Sequence, residues 1–121
     1  ILNMIDASAK TNVQYISAFT TENPDETCQN FIKRFNENFD NNPNSNAAYA
    51  YDAALAMCEA IRTAETTAPA DIRDALAGLS GFSGVTGTLV FDEDRNPIKD
   101  AYVLALEGDQ VNYVTTVNLE D

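Results

Sequence analysis

Apolar residues recur along this chain with two different periods, and the changes of period divide it into elements. Residues 12–19, Asn12-Val-Gln-Tyr-Ile-Ser-Ala-Phe19, have the β-branched and aromatic content of a strand, with Val13, Tyr15, Ser17 and Phe19 on one face. Residues 1–10 before it are mildly apolar and read as a short piece of helix or a fraying end. After a loop at 20–24, Cys28, Phe31, Ile32, Phe35 and Phe39 recur at helical spacing while Lys33, Arg34 and Glu37 face away. This is an amphipathic helix of about four turns. Its start is read at Asn23 as N-cap, with Pro24 in the first helical position and Glu26 three residues after the cap. The polar run 40–46 stops it.

Residues 47–61 are apolar or small on every side, with Asp52 and Glu59 as their only charges. The run is too long for an ordinary strand and rich in alanine, so it predicts a helix. It is capped by Ser45 or Asn46 and runs to about residue 63. A helix apolar all round is buried all round, so other elements are expected to cover it. A third, shorter helix opens near Pro69, shows Ile72, Ala75, Leu76 and Leu79 on its apolar face, and ends at Gly78 or Gly81. Residues 81–87 are a glycine-punctuated loop leading into a strand at 88–91. A turn at 92–97 follows, then strands at 101–106 and 111–117 joined as a hairpin. One strand, three helices and three strands make an α+β order, not the regular alternation of a complete parallel sheet. A piece cut from a larger α/β protein explains that order better.

The 121 residues suffice for one core, and 45% apolar content is ordinary for a globular chain. Seven basic against 19 acidic residues give a net charge of -12. That balance disfavours nucleic acid and anionic membrane surfaces, which need clustered Lys and Arg. It suits a soluble protein in an exposed compartment. No apolar run reaches the ~20 residues of a membrane span. The chain begins at Ile1 without Met or a basic leader, which suggests a processed start or a piece of a longer protein. There are 0 His, so Ser-His and Cys-His catalysis is excluded within the chain. No paired-acid arrangement stands out, and an enzyme is disfavoured. The run Asp92-Glu-Asp-Arg-Asn96 superficially fits a calcium loop but lacks the following Gly and the distal Glu, and reads as a solvated turn. Neither a metal nor a cofactor is expected.

Three stretches together resemble the C-terminal part of a type I periplasmic binding protein, closest to the branched-chain amino-acid and amide receptors of ABC transporters. They are Asn23-Pro-Asp with Phe31-Ile-Lys-Arg-Phe35, then Tyr49-Ala-Tyr-Asp-Ala-Ala54, then Phe82-Ser-Gly-Val-Thr-Gly-Thr-Leu-Val-Phe-Asp92. The resemblance implies two Rossmann-like lobes joined by three crossings, with a small ligand, such as an amino acid, held between them. Residues 12–85 would be a first-lobe part, with the strand near the second crossing. Residues 86–121 would be the third crossing and a terminal second-lobe hairpin. The resemblance further implies an extracytoplasmic protein, periplasmic or a cell-surface lipoprotein, with an ABC-transporter permease as membrane partner. A ligand-sensing ectodomain or regulator of the same architecture is the alternative.

In that family the mouth of the central helix faces the cleft, where helix N–H groups attract anionic or carbonyl groups. This makes Asn46, Tyr49 and Asp52 the candidate ligand contacts, although Asn46 serves equally as a cap, Tyr49 as packing and Asp52 as a dipole partner. Gly84 and Gly87 flank one proposed hinge strand and Thr20 and Thr21 line the other; ordinary turn roles fit them too. Cys28 and Cys58 are placed on buried faces of neighbouring helices. They are either buried free thiols or a disulfide closing a loop of about 30 residues, worth ~3–4 kcal/mol. Severed from its partners, the chain is expected to expose apolar surface and to self-associate.

Overall fold

The structure, a computed structural model, describes residues 6–118. It opens on a single 3-10 turn, Ala7–Ala9. Of the helical piece expected near the start, positions 1–5 lie outside the described residues. Strand β1 (Val13–Ser17) is followed by helices α1 (Glu26–Phe39), α2 (Ser45–Ala64) and α3 (Pro69–Ala77). Five strands complete the chain: β2 (Phe82–Gly84), β3 (Gly87–Phe91), β4 (Pro97–Lys99), β5 (Ala101–Glu107) and β6 (Gln110–Val117).

The strands form two antiparallel three-stranded sheets, β1-β5-β6 and β2-β3-β4. The terminal hairpin forms as the sequence predicts, with Glu107 opposite Gln110 and a bulge at Val103/Leu104. Pairing of β1 with β5, Val13 opposite Leu106 and Ser17 opposite Tyr102, groups the first strand with that hairpin, not with the helices that follow it. Two short strands escape the sequence reading. The glycine-punctuated loop is a hairpin, with Phe82 opposite Leu89 and Gly84 opposite Gly87. Pro97 begins β4 at the sheet edge, where a missing N–H costs no ladder bond.

Helix α1 buries Cys28, Phe31 and Ile32. They meet Phe19, Ala48 and Val85 in one core cluster, against which Phe35 and Tyr51 pack. Phe31 is the hub of its aromatic contacts, edge-on to Phe19 at 6.1 Å and tilted on Tyr51 at 4.7 Å. A second cluster joins Ala56 of α2 and Leu79 to Leu89 of β3, with Leu76, Phe82 and Phe91 around it. On β5, Tyr102, Leu104 and Leu106 are buried at alternate positions, the period of a strand.

The expectation that α2 is covered on all sides is overturned. Its buried residues are Ala48, Asp52, Ala56 and Ala60, a single stripe at four-residue spacing. Tyr49, Leu55, Met57 and Ile61 are exposed. Cys58 lies on that open side too, so the two cysteines do not share a buried interface: Cys28 is buried, Cys58 exposed, and both are free thiols. The helix starts also move. Asp25, not Asn23, caps α1, its carboxylate accepting from the N–H groups of Thr27 and Cys28 at 2.9 and 3.2 Å. A carboxylate is the stronger acceptor at a positive helix end, and the Asn23 side chain is engaged elsewhere. Asn44, not Ser45 or Asn46, caps α2 through a bond from the Ala47 N–H.

Candidate functional site

Asp52 is the polar centre of the helical half. Its exposure is 3%, although it sits in the most apolar helix of the chain. The carboxylate accepts from the N–H of Val85 at 2.7 Å, and from the N–H and hydroxyl of Thr86 at 2.9 and 2.5 Å. These bonds seat the β2–β3 turn on α2. Gly84 has to be glycine for the same reason: a Cβ there would land on the Asp52 carboxylate. Asp52 is thus held by three donors from the hairpin, and its role is to clamp it.

Beside this clamp opens a cavity of about 440 Å³ between α2, α3 and the β2-β3-β4 sheet. Tyr49, Met57, Leu89 and Phe91 give it an apolar lining, and Lys99 supplies its cation. Burial pulls the Lys99 ammonium below its ordinary value, while the Asp52 and Asp100 charges work against that shift. Tyr49 and Asp52 therefore reach the same cavity, Tyr49 from its exposed rim and Asp52 from its floor. Asn46 is exposed in the first turn of α2 and does not line it.

The second polar centre is the junction of the two sheets. Asp100 alone separates β4 from β5, so the chain changes sheet within one residue. Its carboxylate accepts from the Thr88 N–H at 3.1 Å. Gly87, with φ of 88°, faces it so closely that a Cβ would lie 2.8 Å from Asp100 Oδ2. The other passage between the sheets runs from β1 to α1. Thr20 is buried there, its hydroxyl accepting from the Glu22 N–H and its carbonyl from the Cys28 thiol. The Thr21 carbonyl accepts from the Gln29 side chain. Asn23 crosses the gap: its Nδ2–H donates to the Tyr102 hydroxyl at 3.0 Å. Gly84, Gly87, Asn23, Asp100 and Tyr102 share a polar recess of about 160 Å³. Burial pushes the Tyr102 phenol up to about 12 and the Cys28 thiol up to about 11, nearby acids adding to both.

Of the four residues singled out as hinge positions, Gly84 and Gly87 line the junction recess and Thr20 and Thr21 sit in the β1–α1 passage, while Asn46, Tyr49 and Asp52 do not form one constellation. Sequence reasoning missed Asn23, Asp100 and Tyr102 as a group. Asn23 carries two signals, and its cap-like spacing to Glu26 masked the other. Tyr102 has the strand period of a core residue, and nothing local tells that its hydroxyl has a partner 79 positions away. The Asp92 turn is closed internally, by two hydrogen bonds from Asn96 to the Asp92 carboxylate.

Residues 2–110 match the sequence profile of the family described as "Periplasmic binding protein". The chain belongs to the periplasmic binding protein family. Solved structures show the same type I fold. The substrate-binding protein LivJ of a branched-chain amino acid transporter from Streptococcus pneumoniae, in complex with isoleucine, is 28% identical, with a TM-score of 0.74 over 89% of this chain and 32% of that one. An ABC transporter substrate-binding protein from Desulfitobacterium hafniense, in complex with Leu, is 27% identical, with a TM-score of 0.79 over 88% and 32%. A solute-binding protein of an ABC transporter from R. palustris, in complex with benzoate, shares the fold at 17% identity and a TM-score of 0.76 over 91% and 31%. No curated protein matches the chain. The chain spans about a third of the length of these periplasmic binding proteins. The family is extracytoplasmic, and no helix among the described residues is long and apolar enough to cross a membrane.

Proposed function

We propose that this chain is the C-terminal portion of the solute-binding component of an ABC transporter. The complete protein holds a small molecule, an amino acid or another small carboxylate, between two lobes and delivers it to a membrane permease. It acts by binding, not by catalysis, and works outside the cytoplasm, free or as a lipoprotein. The observation that carries this reading is the one-residue passage between two separate sheets at Asp100, in a chain whose family consists of solute-binding proteins. We assign β1, β5 and β6 to one lobe and the three helices with β2, β3 and β4 to the other. The crossings then fall at residues 18–25 and at Asp100; the first lies near the second crossing that the resemblance implies, and the other replaces a third crossing at the strand beginning at residue 86. Ligand binding stabilises the closed arrangement because contacts to both lobes exist only there.

Tyr49 and Lys99 are the side chains of this chain best placed to meet such a ligand from the helical lobe. Calorimetric titration of the complete protein with leucine, isoleucine and benzoate tests the proposal. Saturable binding of at least one is expected, weakened in Lys99→Met. Absence of binding to these probes and to a wider panel of amino acids and aromatic acids would overturn it.

A further inference from the structure

The hydrogen bond between Asn23 and Tyr102 joins two bodies that are otherwise built separately. Asn23 is fixed to the helical body. Its Oδ1 accepts from the Asp25 N–H at 3.0 Å, its carbonyl from the Gln29 side chain at 2.6 Å, and its own N–H donates to the Thr20 carbonyl at 3.3 Å. Tyr102 is fixed to the other sheet. Its backbone stands opposite Ser17 on one side and Thr116 on the other, and its ring lies edge-on to Tyr113 at 6.4 Å. The two side chains meet at 3.0 Å, exposed by 8% and 4%. Breaking the bond would leave a buried carboxamide N–H without its acceptor, which costs more than the bond itself contributes. The bond also sits two residues from Asp100, where the second crossing runs. It therefore ties the β1–α1 passage to β5, two residues beyond the Asp100 passage, so a change of angle between the two bodies has to lengthen or break it.

We propose that the Asn23–Tyr102 pair is a latch that fixes the resting angle between the two lobes, with Tyr102 as a positioning residue for closure. The proposal rests on the two-lobed reading above and adds to it the specific bond that sets the equilibrium. A ligand that closes the lobes works with or against this bond, so the pair tunes affinity without touching the ligand.

The test is the distance distribution between spin labels on the complete protein, at Lys33→Cys on α1 and Asn112→Cys on β6, both exposed, in a Cys58→Ser background. Tyr102→Phe should broaden the distribution in the ligand-free protein, and Asn23→Ala, which also removes the bond from the Asp25 N–H, should broaden it at least as much. The double variant should broaden it no further, the signature of one shared interaction. Tyr113→Phe is the control, since its hydroxyl bonds Thr116 within the same strand at 2.8 Å. It should leave the distribution unchanged at matched thermal stability. Affinity for whichever of leucine, isoleucine or benzoate binds should shift about twofold to tenfold in Tyr102→Phe, the range of one net hydrogen bond. A Tyr102→Phe distribution as narrow as that of Tyr113→Phe overturns the latch. A wild-type distance that ignores a bound ligand overturns the closure reading instead, while the ligand-free comparison still decides the latch.

Discussion

Asp52 and Tyr102 are buried polar groups in a small fold, and each is tolerable only because its partners are in place. Three donors satisfy the Asp52 carboxylate. Asp52→Asn would turn an amide N–H₂ toward one of the two backbone donors, Val85 N–H or Thr86 N–H, and we expect it to lose about 2–4 kcal/mol, as for a broken network of charge-assisted bonds. Denaturant unfolding measures this, and a loss under ~1 kcal/mol would show that the clamp contributes little. The pH response follows from the raised pKa values. Cys28 moves from 9.0 to about 11 and Tyr102 from 10.0 to about 12, both because burial disfavours the anion. A folded-state pKa above the unfolded one gives stability that is intact below the unfolded value and lost as pH rises through the folded one. The denaturation midpoint should therefore hold to about pH 9 and fall between pH 9 and 12. Tyr102→Phe should flatten the upper part of that fall.

At the scale of elements, α2 is the most informative. Its composition marks a helix, and its length and caps place it within a few residues. What composition does not reveal is which faces are covered, because alanine packs equally well against protein or against nothing. The stripe of Ala48, Asp52, Ala56 and Ala60 is buried here, and the opposite side is open. The hairpin β2–β3 stayed hidden for a different reason. Its turn is shaped less by its own residues than by a carboxylate more than thirty positions upstream. The junction at Asp100 was hidden because a one-residue change of sheet leaves no break in the apolar pattern. Helices α1, α2 and α3 and the terminal hairpin were legible because their periods are long and regular. One local strain remains at the end of α2, where Glu65 takes a left-handed φ of 52° that favours glycine. Glu65→Gly should stabilise the chain by about 1 kcal/mol, seen as a raised denaturation midpoint at unchanged slope.

At the scale of the molecule, the open side of α2 has a consequence. Exposed Leu55 and Ile61 share it with small residues, and such a surface drives association. The isolated chain should scatter light as a dimer or larger species, and Ile61→Lys should shift it toward monomer. A clean wild-type monomer at high concentration would contradict this.

The proposed function depends on two lobes that close around a small molecule. Small-angle X-ray scattering of the complete protein, titrated with leucine, isoleucine and benzoate, tests that most directly. A saturable decrease in radius of gyration with at least one of them is the predicted result. Saturable binding with an unchanged radius of gyration would contradict it.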